Sequence, residues 1–352
     1  MSNCLGGDCV KSEIRPGFNS DHSIVYLEME DSVTTRGTGH WKLNTSLLRK
    51  AEYIDLIKNT IQEQLVIHRD TDVTPDLLWD TVKSVIAGTT IQYASKLRKQ
   101  IGTRKQELEQ KIKQLHQLTH ESACPSSTYV ELREAEGELN GIIETEMEGI
   151  KLRAKIKWAE EGGGGGCSKF FCNLERNYSQ KKAVTRLKLR DNSVTSDQEK
   201  IMTELKSFYH KLYTSAGADN DTDINNFLSG LNLPSLSEEE KNKLEEELTE
   251  EECFNSVKNM KRDKTPGLDG LPMEFYVIFW KDVSKLLIDS YKYSYEKGNL
   301  STSQRKGLIS LIPKPHRDPL LVNKIRPITL LNVDVKIVTK TIASRIKLYI
   351  SA

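Results

Sequence analysis

Ser20-Asp21-His22 sets a carboxylate beside an imidazole. That neighbour can fix the ring tautomer and stabilise the charged ring, as a general base or phosphate ligand requires. A surface-loop histidine fits the same three letters. Lys314 and Arg326 stand where one apolar, β-prone run (Leu308-Ile309-Ser310-Leu311-Ile312-Pro313) ends and the next (Ile325 to Leu331) begins. At the loop ends of a hairpin the two cations would project towards one anion, and a lysine point charge beside a planar guanidinium grips a triphosphate. Two solvated loop cations are the plainer alternative. Lys261, Arg262 and Lys264 precede Thr265-Pro266-Gly267-Leu268-Asp269-Gly270-Leu271-Pro272. Pro-Gly and Asp-Gly each predict a tight turn, and Pro272 can open a helix. So stiff a loop suits holding a nucleic-acid strand through the cations and the Gly267 backbone; a simple helix-to-helix connection also fits. Lys169 and Arg176 flank Phe170, Phe171 and Leu174, a pattern for stacking on unpaired bases or for one apolar helix face.

These groups need elements to position them. Ile24 to Met29 reads as a short strand after the turn-prone Pro16 to Ser20, too little sheet to bury its faces alone. From about 46 to 158 the period is helical. Ala94, Leu97, Ile101, Leu108, Leu115 and Leu118 keep heptad spacing, with Arg104 and Lys111 at two seam positions, which predicts a short, imperfect coiled coil. After the Ala123 to Ser127 break, Tyr129, Leu132, Leu139, Ile143 and Ile150 predict a helix folding back as an antiparallel hairpin. Five glycines, Gly162 to Gly166, predict a hinge; Cys167-Ser168-Lys169 is the wrong order for a phosphate loop, which needs Gly-Lys-Ser/Thr.

Over 352 residues the hydrophobic share is 37% and the charged share 29%, a balance that suits helices with solvated faces. A net charge of +1 excludes a uniformly basic coat, but charge is segregated. Residues 151–190 carry eleven Lys/Arg against three Asp/Glu, a net of +8; residues 237–252 carry nine Glu against two Lys, a net of −7; residues 300–352 carry ten basic against two acidic, a net of +8. Such blocks are solvated faces or an electrostatic footprint for nucleic acid. No apolar run is long enough for a bilayer, and the N-terminus lacks the features of a secretory signal. Cys4, Cys9, Cys124, Cys167, Cys172 and Cys253 form neither a disulfide framework nor a metal knuckle, so reduced thiols inside a cell, nucleus or cytoplasm, are expected.

Taken together, several of these strings resemble the second-reading-frame polyprotein of non-LTR retrotransposons. Ser20-Asp21-His22, with Tyr26-Leu27-Glu28 and Gly39 to Asn44, is similar to the last strand and exit of that family's apurinic-type endonuclease. The resemblance makes Asp21 the orienting carboxylate and His22 the base or phosphate ligand. The family's metal-binding glutamate and Asp/Asn pair lie in upstream sequence this chain does not have, so no nicking is expected. Lys157 to Asn177 looks like the connector before the family's reverse transcriptase, although Gly162 to Gly166 stands where the family usually has one glycine and then polar residues. Lys264 to Pro272 resembles the entry motif of that polymerase. Leu308 to Ile346, through Ile325-Arg326-Pro327 and Val335 to Lys340, resembles its fingers. The resemblance places Arg326 near the incoming nucleotide and Lys314 beside it, with Ile325 where an aromatic is common. The metal-binding aspartates of the palm would lie beyond Ala352, and no Asp-Asp pair occurs in the chain.

The expected fold is therefore mainly α with small α+β parts. Residues 1–45 would be an endonuclease remnant, 46–160 a helical connector, 161–260 a basic then acidic helical linker, and 261–352 the fingers. The expected function is residual RNA or single-strand binding by a catalytically inactive fragment, with no cofactor of its own; Mg²⁺ belongs to the intact parent. The expected partners are RNA and/or DNA and no membrane. Two alternatives stay open: a helical interaction protein self-associating through the 92–158 hairpin, and an active polymerase completed by carboxylates from another chain.

Overall fold

The computed structural model describes residues 9–15, 24–29, 39–119, 125–154, 184–215, 221–231 and 236–350. The chain forms two compact units, one of residues 1–39 and 92–182, the other of residues 40–91 and 183–352. Helix dominates, with three small antiparallel sheets among the described residues, so the expected fold class holds.

In the first unit, β1 (Cys9–Arg15) pairs with β2 (Ile24–Met29). The sequence predicted only the second strand. Lys11, Ser12 and Glu13 interrupt the apolar alternation that would have announced the first. Ile14 and Val25 are register partners and both are 75% exposed.

The helical hairpin is built from residues 92–119 of α2 (Pro75–Thr119) and from α3 (Ser126–Ala154). Its core is Leu108, Ile112, Ala135 and Leu139, with Leu132, Ile142 and Ile143 against it. His116 pairs with Glu136 near the break and Lys105 with Glu146 farther from it, so the helices run antiparallel. Arg104, at a seam position by spacing, does not enter the core. It is exposed, and its guanidinium reaches Glu138 with two bonds of 2.7 Å. Ile112, one residue beyond Lys111 and outside the strict heptad, fills the space that Lys111 leaves.

In the second unit, α1 (Ala51–Ile67) and residues 75–91 of α2 supply Tyr53, Ile57, Ile61, Trp79, Val82 and Ile86 to the core. The Tyr53 hydroxyl meets Thr90 Oγ1 at 2.8 Å. Pro75 opens α2, where its missing N–H costs nothing, and the helical run expected from 46 to 158 is broken at residues 68–74, after α1 ends at Ile67. Phe275, Tyr276 and Phe279 come from α8 (Met273–Ile278) and its end, followed by α9 (Trp280–Lys297).

The 198–213 region forms α4 (Gln198–Tyr213), capped by Asp197, and α5 (Asp221–Ser229) follows with every described residue exposed. Leu187, in a two-residue strand β3 (Leu187–Lys188) paired with β4 (Val194–Thr195), joins Ile201, Leu205, Val322 and Ile325 in a second core. The acidic block is two short helices, α6 (Glu238–Glu245) and α7 (Glu250–Lys258), because Ser237/Glu240 and Thr249/Glu252 are successive capping boxes. Arg345, on α10 (Val333–Ile350), ties both down. Its guanidinium bonds the Glu252 carboxylate at 2.7 and 2.8 Å and the carbonyls of Glu246 and Glu247 at the end of α6. The remaining strands, β5 (Leu308–Pro313) and β6 (Ile325–Leu330), make an antiparallel hairpin. No helix among the described residues is long and apolar enough to cross a membrane.

Candidate functional site

The loop from Lys261 to Pro272 is pinned at its far end, while its near end has exposed side chains and one anchor, from Asp263 N–H to the Glu274 carboxylate at 2.7 Å. Gly270 N–H bonds the Gly267 carbonyl at 3.3 Å, closing a turn over Leu268 and Asp269. Gly270 has a φ of +72° and lies against the Trp41 ring and carbonyl. Leu43 N–H donates to the Gly270 carbonyl at 3.0 Å, and the His40 ring meets the Gly267 carbonyl at 3.3 Å. Pro266, Gly267, Gly270, Leu271 and Pro272 are buried, whereas Lys261, Arg262 and Lys264 are exposed. Gly267, expected to offer its backbone to a strand, has its carbonyl engaged internally and packs on Asn332 so closely that a Cβ would not fit.

Asn332 is completely buried and holds two loops at once. Its Oδ1 accepts from Asp269 N–H at 3.2 Å, and its Nδ2 donates to the Ser303 carbonyl at 3.0 Å. The second loop is shaped by its own sequence. Ser301 and Gln304 bond each other's backbone N–H reciprocally, a capping box in the letters Ser-x-x-Gln. Asp80 of α2 holds that turn by accepting from Ser301 Oγ at 2.9 Å, Ser303 N–H at 3.0 Å and Ser303 Oγ at 2.7 Å. Arg305 and Lys306 follow directly and are exposed.

Beneath both loops lies a buried charge cluster. Lys83 Nζ donates to Asp334 Oδ2 at 2.8 Å and to Ser303 Oγ, with Asp80 at 3.3 Å and Asp269 at 4.0 Å. Trp79 Nε1 donates to the same Asp334 oxygen at 2.9 Å, and the Tyr291 hydroxyl donates to the Asp334 carbonyl at 2.5 Å. Burial disfavours the Lys83 charge, but Asp334, Asp269 and Asp80 outweigh it and hold its pKa above the ordinary lysine value. For Asp80, burial is outweighed by the Ser303 bonds and Lys83, so its carboxyl is held below the usual range. Asp269 goes the other way. Burial, then the Asp334 charge, push it up to about 7 against the pull of Lys83. Its Oδ2 and the Tyr276 hydroxyl are buried with no hydrogen bond to any described residue. The three carboxylates converge on the Lys83 ammonium, so the cluster does not suit a divalent cation, and the described residues contain no group of three metal-ligating side chains.

Lys314 and Arg326 do lie at the loop end of one hairpin. Arg326 is the register partner of Ile312, and Lys314 follows two residues later, on the same face by strand alternation. Lys314 N–H bonds the Lys324 carbonyl at 2.8 Å and its Nζ the Asn323 carbonyl at 3.2 Å, while Arg326 is exposed beside the half-exposed Ile312 and Ile328. The opposite face carries Leu311 and Ile325 into the second core. Asn332 stands two residues past the other end of β6 and six after Arg326, so Arg326 is about 20 Å of extended chain from the Gly267 seat, and Lys314 farther.

Asp21, His22, Lys169 and Arg176 lie outside the described residues, as do Gly162 to Gly166. Sequence reading overlooked Lys83, Asn332, Arg305 and Lys306. The Ser301-x-x-Gln304 box was a legible sign that a shaped turn precedes the last two.

No family model matches the chain. It is similar to the "Transposon TX1 uncharacterized 149 kDa protein" of Xenopus laevis, with 29% identity over 353 residues. That relative is a transposon protein. The alignment covers 99% of this chain and 26% of the relative, so the chain spans about a quarter of the length of the curated relative it matches.

Proposed function

We propose that the second unit binds RNA or another single strand along its phosphates, as part of a chain derived from a non-LTR retrotransposon polymerase–endonuclease. The observation that carries this reading is the contrast within one loop: Lys261, Arg262 and Lys264 stand in solvent while the residues that follow are locked by Asn332, His40 and Leu43. Cations on a rigid support bind phosphate without first being ordered. Lys314 and Arg326, on one face of the hairpin, are the second anion grip. The likeness to a transposon protein favours nucleic acid as the anion. This stretch contributes binding, not catalysis; primer extension with Mg²⁺ by the chain alone should give no product.

The test is fluorescence anisotropy of the full chain with a structured RNA at several salt concentrations. Affinity should fall steeply with salt. Lys261→Ala with Lys264→Ala should weaken it about tenfold or more, and Arg326→Ala should also weaken it. A salt-independent Kd, or one untouched by these changes, would overturn the reading.

A further inference from the structure

Two basic segments are seated on one support. Gly267, three residues after Lys264, packs on Leu331 and Asn332; Gly307, next after Lys306, packs on Thr329 and Leu331. At both glycines a Cβ would collide, at Gly267 with the Leu331–Asn332 backbone and at Gly307 with the Thr329 methyl, so both segments lie against the end of β6. The Asn332 side chain then bridges the two loops, with one bond to each. Asp80 fixes the Ser301–Ser303 turn from below, leaving Arg305 and Lys306 at the exit. None of Lys261, Arg262, Lys264, Arg305 and Lys306 forms an ion pair with a described carboxylate, although Asp263 lies among the first three and its N–H donates to the Glu274 carboxylate at 2.7 Å.

We infer that Arg305 and Lys306 form, with Lys261, Arg262 and Lys264, one composite phosphate-binding surface for a single strand of nucleic acid. The inference rests on the proposed function and assigns the 301–307 loop to the same site. Fixed cations on adjacent loops match a repeating backbone charge, and an arginine adds a planar face on which a base can stack. An acidic polypeptide offers charge without that repeat or a base, so it is the weaker ligand.

The experiment uses the full chain and a single-stranded RNA of about 8 nucleotides, within the ~4–16 spanned by compact single-strand binders. Arg305→Ala with Lys306→Ala removes only exposed side chains, and circular dichroism confirms folding. We expect Kd to rise about tenfold, and the slope of log affinity against log salt to flatten by about 1.4, two contacts at ~0.7 each. Lys261→Ala with Lys264→Ala should give a similar loss on the same oligonucleotide. If that pair weakens binding and the Arg305/Lys306 pair does not, the composite surface is wrong while the proposed function stands. If the wild-type chain does not bind, both fall. Polyglutamate competing as well as RNA at equal charge would overturn the nucleic-acid assignment.

Discussion

At the residue scale, Lys83 is the buried charge on which the second unit depends. It meets Asp334, Asp80 and Asp269, two of them from sequence positions far away, so no local pattern could reveal it, whereas Lys261, Arg262 and Lys264 were legible as a basic run. Lys83→Met should leave the fully buried Asp334 without its cation and cost about 3–5 kcal/mol in urea unfolding. Lys83→Met combined with Asp334→Asn should recover part of that loss; a single-variant cost within experimental error would refute the account. Asp269 gives a pH signature. Its folded pKa, about 7, lies above the ordinary aspartate value of ~3.9, so the folded state holds the extra proton between the two. Stability from this group is therefore greatest at low pH and falls as pH rises from about 4 to about 7. Glu252 acts oppositely. The Arg345 bonds hold it at about 2, so its contribution is present above ~4.3 and is lost as pH falls towards 2. Asp269→Asn should flatten the slope between pH 4 and 7 without touching the acid limb, as pH-dependent urea midpoints would show. An unchanged slope would mean that Asp269 is ionised throughout.

At the scale of elements, long periodic segments were legible and their interruptions less so. The α2–α3 hairpin followed from apolar spacing and the Pro125 break, and the β5–β6 hairpin from two apolar runs around a polar loop. β1 is hidden because charged residues break its alternation, and the division of the acidic block into two helices is hidden because a capping box looks like any Glu-rich stretch until its turn is seen. The hairpin seam also bears on self-association. Leu108 is 2% exposed and packs on the chain's own Ala135 and Leu139, so its first partner is intramolecular. Leu108→Ala should cost about 2–5 kcal/mol of local hairpin stability, read as faster amide exchange across residues 100–145. Exchange unchanged there, with a dimer dissociating instead, would transfer the seam to an intermolecular role.

At the scale of the molecule, the second unit draws residues 40–91 together with 183–352, so α2's first turns support loops more than two hundred residues later. That arrangement explains how much of the candidate site could be read from sequence. The cations showed themselves by composition, but the frame that holds them consists of single long-range hydrogen bonds from Asp80, Lys83 and Asn332. The reading of Asp21, His22, Lys169 and Arg176 rests on the sequence, since the described residues do not include them. The central claim is that nucleic acid contacts the basic loops framed by Asn332. Photocrosslinking of a labelled RNA to the full chain, followed by peptide mapping, tests it most directly. The account predicts crosslinks within residues 261–272 and 303–307, with further ones at 314–326, all diminished by added salt. Crosslinks confined to residues 92–154, with none between 261 and 326, would contradict it.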